Sequence, residues 1–258
     1  METVLRIENL AKAFGGLKAV SGFGLELGAR DIQGIIGPNG AGKTTVFNLI
    51  TGVYQPDQGR VRLGDTETTR LPADAIARAG IARTFQNIRL FAQMTVLDNI
   101  KMALHARVGY GLWGAAFRTS SFKREETRIL AESQEHLDRF GLAHLQGELA
   151  GSLPYGEQRR LEIARALATN PKVLLLDEPA AGMNPREVEQ LILLIRRVHQ
   201  DFPLAILLIE HQMPVVVELC QHVQVLDFGE TIAAGAPLEV TRNPRVIEAY
   251  LGEEEAQA

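Results

Sequence analysis

Ile32-Gln33-Gly34-Ile35-Ile36 runs straight into Gly37-Pro38-Asn39-Gly40-Ala41-Gly42-Lys43-Thr44-Thr45, and a helical pattern over residues 44–51 follows before a stop at Gly52. An apolar strand, a glycine loop and a helix in that order are the setting in which spaced glycines followed by Lys and Thr bind phosphate. Glycines let the backbone curl so that its amides point inward at phosphate oxygens, and the helix adds the positive end of its dipole. Lys43 then reaches the β- and γ-phosphates while the Thr44 hydroxyl is offered to magnesium. The stretch therefore assigns nucleotide phosphate to Gly37, Pro38, Asn39, Gly40, Ala41, Gly42, Lys43, Thr44 and Thr45.

Further along, Val173-Leu174-Leu175-Leu176-Asp177-Glu178 is an apolar strand ending in two carboxylates. Ligands of a parallel sheet gather beyond the carboxyl ends of its strands, so Asp177 emerges beside the glycine loop, where it can hold magnesium through water. Glu178 is placed to orient or deprotonate an attacking water. No Asn-Lys-x-Asp segment occurs, which argues against a guanine-reading GTPase. Another apolar run, residues 204–209, follows a helix with a marked start: Asn184 can cap it, Pro185 fits its first position and Glu187 can reach back to the cap. Strand, helix, strand implies a parallel sheet.

Ahead of the loop the pattern is β-rich. Leu5 and Ile7, then Phe23, Leu25 and Leu27, then Val61 and Leu63 alternate as half-buried antiparallel strands do. Over residues 95–168 the period turns helical, with Val96, Ile100 and Leu104 on one stripe and a charged segment at 123–140 closed by Gly141. A glycine and aromatic loop containing Trp113 is expected over residues 109–122. With no internal repeat and no low-complexity linker, the 258 residues read as one composite α/β domain. Its core and β-subdomain are expected over about 1–90 and 165–251, and an inserted helical subdomain over about 91–164.

Lys plus Arg number 27 against 31 Asp plus Glu, a net charge of −4 without the basic excess of a nucleic-acid binder. Hydrophobic residues at 46% and charged residues at 22% suit an ordinary globular chain, with disorder expected only in the acidic tail after Leu251. The single Cys220 can form no internal disulfide, fits a reducing compartment and reads as a small buried apolar residue. Charges interrupt the N-terminal Met1-Glu2-Thr3-Val4-Leu5-Arg6-Ile7-Glu8, so no signal-peptide core is seen, and the longest apolar runs fall short of a membrane span. A cytoplasmic chain is expected, with any role at a membrane reached through partners.

Leu153-Pro154-Tyr155-Gly156-Glu157-Gln158, followed by Arg159-Arg160-Leu161-Glu162-Ile163-Ala164-Arg165-Ala166-Leu167, resembles the signature of the ATP-binding cassette (ABC) ATPases. The resemblance covers essentially the whole chain. Further matches in the expected order are Phe14, Gln86 in Arg83-Thr84-Phe85-Gln86, the turn Ala181-Gly182-Met183-Asn184, and His211 in Ile209-Glu210-His211. It implies a P-loop core with an N-terminal antiparallel β-subdomain and an inserted helical subdomain. It also implies two ATPase subunits head to tail, each ATP with Mg2+ lying between one phosphate loop and the Tyr155, Gly156 and Glu157 of the opposite signature. On this resemblance Phe14 stacks on adenine, Gln86 links Mg2+ and the attacking water to the membrane partner, and His211 holds the γ-phosphate and Glu178. Each also has a plain alternative: strand core for Phe14, a solvated loop for Gln86, a satisfied polar strand end for His211. Two residues depart from the family pattern. Pro154 stands where a serine hydroxyl is usual, and Asn184 where Asp is usual.

Within that family, Arg83-Thr84-Phe85-Gln86-Asn87-Ile88-Arg89-Leu90-Phe91, Asp177-Glu178-Pro179-Ala180-Ala181-Gly182-Met183-Asn184-Pro185 and the ending Ala249-Tyr250-Leu251-Gly252 are similar to the ATP-binding subunit of bacterial branched-chain amino acid importers. The implied partners are two transmembrane permease subunits, a second ATPase subunit and, indirectly, an extracytoplasmic amino-acid-binding protein, with the chain at the cytoplasmic face of the membrane. Urea or amide uptake, lipopolysaccharide export and a soluble non-transport ATPase are the alternatives.

Overall fold

The computed structural model describes residues 2–105 and 119–257. Contacts divide them into two units, one built from the chain up to Gln86 and from Lys172 onward, the other from Asn87–Pro171. The helix Tyr155–Ala168 is continuous and lies whole within the second unit.

The first unit holds two sheets. In one, the strands β1 (Thr3–Phe14), β2 (Leu17–Gly28), β4 (Gln58–Leu63) and β5 (Thr66–Glu67) are all antiparallel, in the order β2-β1-β4-β5. The alternation read from sequence is what buries one face: Leu5, Ile7, Phe23, Leu25, Leu27, Val61 and Leu63 all point into the core. The opposite face carries pairs such as Arg6 and Glu26, 3.2 Å apart.

The other sheet is built from β3 (Ile32–Ile36), β6 (Ile81–Arg83), β7 (Val173–Asp177), β8 (Ala205–Ile209), β9 (His222–Asp227) and β10 (Glu230–Gly235), in the order β10-β9-β3-β8-β7-β6. β3 pairs with both β8 and β9, β8 with β7, and β7 with β6, every one of these parallel. β3, β7 and β8 are buried along their whole length, which suits their mostly apolar sequences, with Gln33 in β3 and Asp177 at the end of β7 the buried polar exceptions. The exception to the expected parallel sheet is β10, antiparallel to β9 at the edge. Phe228 and Gly229 connect the two with φ of 44° and 82°, a two-residue hairpin turn, and such a turn can only reverse the chain.

Register sets the site. Ile209 lies opposite both Ile35 and Asp177, so β3, β7 and β8 end level, and the loops that leave them emerge side by side. The helix Lys43–Ile50 leaves β3 through the glycine loop and buries Val46, Phe47, Leu49 and Ile50 in one cluster with Leu5, Phe23, Leu175 and Leu207. The helix Pro185–Asp201 starts at the expected capping box: Glu187 N donates to Asn184 Oδ1 at 3.1 Å, and Asn184 N to Glu187 Oε2 at 2.9 Å.

The second unit packs the helices Val96–His105, Ser120–Arg139 and Tyr155–Ala168 against one another. Val96, Ile100 and Leu104 form the buried stripe, and Ile129, Leu137 and Leu161 on the other two helices are buried as well. The expected loop ends sooner than its composition suggests. Thr119 Oγ1 accepts from Phe122 N, so residues 120–122 are already the first turn of a helix. Residues 109–118 of that loop, Trp113 included, lie outside the described residues.

Candidate nucleotide site

Two glycines fix the loop between β3 and its helix. At Gly37 (φ +145°) a Cβ would lie 2.0 Å from the Leu226 carbonyl oxygen, and at Gly42 (φ +101°) one would lie 2.3 Å from that of Ala19. No side chain larger than hydrogen fits either place. Gly42 is also the cap of the helix Lys43–Ile50, which has no side-chain cap and no acidic residue in its first turn. The dipole at this end of the helix favours an anion. The buried Lys43 side chain turns back into the loop, its Nζ donating to the carbonyls of Gly37 at 2.7 Å and Pro38 at 2.8 Å. Asn39 to Thr45, with Gln86, Glu178 and the start of β2, line a cleft of about 810 Å³ in front of this loop.

The carboxylates at the end of β7 are held differently. Asp177 is buried and pairs through Oδ2 with Arg83 Nη2 at 2.6 Å. Glu178 sits in the turn beyond, at φ +45°, with its amide donating to Ile209 O at 2.9 Å. Gln86 Nε2 donates to Glu178 Oε2 at 2.8 Å, and His211 Nδ1 lies 3.8 Å from the same oxygen. Two residues from two other loops, Gln86 and His211, therefore approach the Glu178 carboxylate. Gln86 remains an exposed loop residue, and the His211 side chain is about half exposed.

Sequence reasoning gives no role to Glu210, which joins two of those loops. It is fully buried; Oε1 accepts from Ala180 N at 2.8 Å, and Oε2 from His211 N at 3.1 Å and Gln212 N at 3.3 Å. Burial pushes its carboxyl above the usual range, and the backbone amides of Ala180, Gln212 and His211 oppose that shift. Arg83 is likewise without a role in the sequence reading. The signal for both is a lone charge closing an apolar strand.

Phe14 stands at the end of β1 and is 41% exposed, edge-on to Tyr54 with ring centroids 5.1 Å apart. It is not strand core. Phe14, Gly37, Pro38, Asp177 and His211 are not among the residues lining the 810 Å³ cleft; Gly37, Pro38, Asp177 and His211 adjoin lining residues instead, through the chain or through their side chains. Tyr155, Gly156 and Glu157 open the helix Tyr155–Ala168 in the second unit, behind Pro154, which supplies no side-chain cap. That first turn is anchored by Arg159, fully buried, which pairs with Glu162 at 2.7 Å and donates to the Tyr155 hydroxyl at 3.1 Å.

Residues 20–181 match the model of the ABC transporter family. The chain belongs to the ABC transporter ATP-binding family. The branched-chain amino acid transport ATP-binding protein BraF of Pseudomonas aeruginosa is 44% identical over 250 residues, 97% of this chain and 98% of that protein. A second model, that of branched-chain amino acid ATP-binding cassette transporters, matches residues 230–256 of the cassette, from β10 into the helix Pro244–Gln257. The ADP conformation of the ATP-binding cassette MJ1267 superposes with a TM-score of 0.84 at 33% identity, covering 98% of this cassette and all of that one. The lipopolysaccharide export ATP-binding protein LptB of Escherichia coli K12 is further away, at 35% identity over 97% of this chain and 98% of its own. The cassette is thus a transport ATPase whose ligand is adenine nucleotide.

Mg2+ is expected at Thr44, Gln86 and Asp177, and the donor set suits it. Among the described residues Asp177 Oδ1 makes no hydrogen bond, so one carboxylate oxygen remains beyond the Arg83 pair. Hydroxyl, amide and carboxylate oxygens are the hard donors this ion takes. No cluster of three His, Cys, Asp or Glu able to hold a metal occurs among the described residues, and a nucleotide-bound Mg2+ draws its ligands chiefly from water and substrate phosphates.

Proposed function

We propose that this cassette hydrolyses ATP at an interface with a second ATPase subunit and thereby powers uptake of branched-chain amino acids through two membrane permease subunits. The match of residues 230–256 to the branched-chain amino acid cassette model is the observation that supports this substrate class over export. Lys43 exchanges its two loop carbonyls for β- and γ-phosphate oxygens, and the amides from Gly40 to Thr45 take the remaining phosphate charge. Thr44, Gln86 and Asp177 hold Mg2+, which offsets the charge of the phosphates. Glu178 accepts a proton from the water that attacks the γ-phosphorus as the bond to ADP breaks, and His211 orients Glu178 and the γ-phosphate. Gln86 carries the state of that carboxylate toward the permease, and Phe14 stacks on adenine.

Tyr155, Gly156 and Glu157 serve the nucleotide of the opposite subunit. Pro154 can offer neither hydroxyl nor amide hydrogen there, which favours a distinct partner ATPase with a serine in that place. No helix among the described residues is long and apolar enough to cross a membrane. The proposed position is peripheral, on the cytoplasmic face, with a separate extracytoplasmic protein capturing the amino acid. Differential affinity of ATP for the closed pair is what drives the permease between its states.

Tagged Glu178→Gln, extracted from membranes with ATP and Mg2+ and analysed by mass spectrometry, tests the partners, and leucine uptake by cells carrying the wild-type chain tests the substrate. Two permease subunits, a second ATPase and ATP-dependent leucine uptake are expected. Recovery of lipopolysaccharide-export partners, or of no membrane protein, would overturn it.

A further inference from the structure

Arg83 has no assigned part in the site, yet it is held from several sides at once. Its side chain is 5% exposed. Nη2 donates to Asp177 Oδ2 at 2.6 Å, while Nη1 donates to Asn48 Oδ1 at 2.8 Å and Thr51 Oγ1 at 3.3 Å, both at the end of the phosphate-loop helix. The rings of Phe47 and Phe85 flank the guanidinium, with centroids 5.5 Å and 4.9 Å from Cζ. Nε is buried and makes no hydrogen bond. The guanidinium plane is therefore set by two aromatic rings, and its fork by three oxygens.

We propose that Arg83 is a positioning residue for the metal: it occupies Oδ2 of Asp177 and so fixes which carboxylate oxygen, Oδ1, faces Mg2+, at a set distance from the helix that carries Thr44. A buried carboxylate at a strand end has two equivalent oxygens and free rotation about its last bond. Pairing one oxygen with a guanidinium locked by Asn48, Thr51 and two phenyl rings removes that freedom. The same anchor connects β6 and β7 to the phosphate-loop helix, so Thr44 and Asp177, on different elements, are held in one frame. Lysine cannot substitute, because a point ammonium cannot bridge Asp177 and Asn48 in one plane. Residues that orient a metal ligand typically carry about 10- to 100-fold of metal affinity.

This inference rests on the reading of Asp177 as a Mg2+ donor. The experiment is calorimetric ATP binding to the full chain with Mg2+ titrated and, in parallel, with Mg2+ chelated, for wild type and Arg83→Lys. Expected is an Arg83→Lys chain that binds ATP normally under chelation but needs about 10-fold more Mg2+ to reach the wild-type gain in affinity. A role confined to stability would lower the melting temperature and move both affinities together. Equal Mg2+ midpoints, or equal losses with and without Mg2+, would overturn the proposal. Should Arg83→Lys fail to fold, Asn48→Ala leaves the charge pair intact and removes one anchor; it must shift the Mg2+ midpoint in the same direction, and an unchanged midpoint refutes the proposal. If wild-type ATP affinity itself proves independent of Mg2+, the reading of Asp177 falls first, and with it the ground for Arg83.

Discussion

Substituting alanine at two glycines of the phosphate loop separates a strained backbone from a filled space. Gly40 has φ +78° with nothing within 4 Å of where a Cβ would stand, whereas Gly42 has φ +101° with the Ala19 carbonyl oxygen 2.3 Å from that point. Gly40→Ala therefore incurs only the left-handed backbone, about 1–2 kcal/mol. Gly42→Ala incurs that and a contact that must open by about 1 Å before it is ordinary. The obstacle is β2 backbone, and Gly229, whose amide donates to Ala41 O at 2.9 Å, closes the other side. Overpacking of this kind adds about 1–3 kcal/mol, for a total of about 2–5 kcal/mol. At about 2–4 °C per kcal/mol for a chain of this size, melting should fall by roughly 4 °C for Gly40→Ala and by roughly 10 °C for Gly42→Ala. Calorimetry without nucleotide measures both. Equal shifts, or a Gly42→Ala chain as stable as wild type, would refute the steric account of the loop.

Phe14→Ala should weaken ATP about tenfold, since stacking of a base on an aromatic ring is worth about 1–3 kcal/mol, while leaving the affinity for inorganic triphosphate unchanged; titration calorimetry with both ligands checks it. Asn184→Ala removes the side-chain cap of its helix and should lower stability by about 1 kcal/mol, whereas Asn184→Asp keeps the cap and should not; denaturant midpoints decide. The folded Glu210 carboxyl lies above the ordinary glutamate value, so its contribution is fully present below that value and is lost as pH rises through the raised one. Unfolding free energies from pH 4 to 8 should show this decline in wild type and not in Glu210→Gln. Burial pushes the Cys220 thiol up to about 12, so maleimide should label it only after unfolding.

What can be read from the sequence is local. The glycine loop, the capping box at Asn184 and Glu187, and the apolar strands β3, β7 and β8 each declare themselves within a dozen residues, because periodicity and backbone geometry are short-range properties. The pairing of Arg83 with Asp177 spans 94 positions and that of Gln86 with Glu178 spans 92, and no spacing rule connects them. They become visible only once the register sets β6, β7 and β8 side by side. Glu210 shows the same limit: as sequence it is one acid after Ile209, and only the fold supplies the three amides that surround it. The helical turn at residues 120–122 is hidden for the opposite reason, since glycine and aromatic composition upstream outweighs the cap at Thr119.

The central claim, that ATP is held by the glycine loop and cleaved with Glu178 as the proton acceptor, is tested most directly by measuring ATP affinity and phosphate release together in Glu178→Gln. Wild-type affinity with phosphate release lowered at least about 100-fold, the scale at which a positioned base contributes, is the result expected. Release at the wild-type rate with ATP bound normally would contradict it.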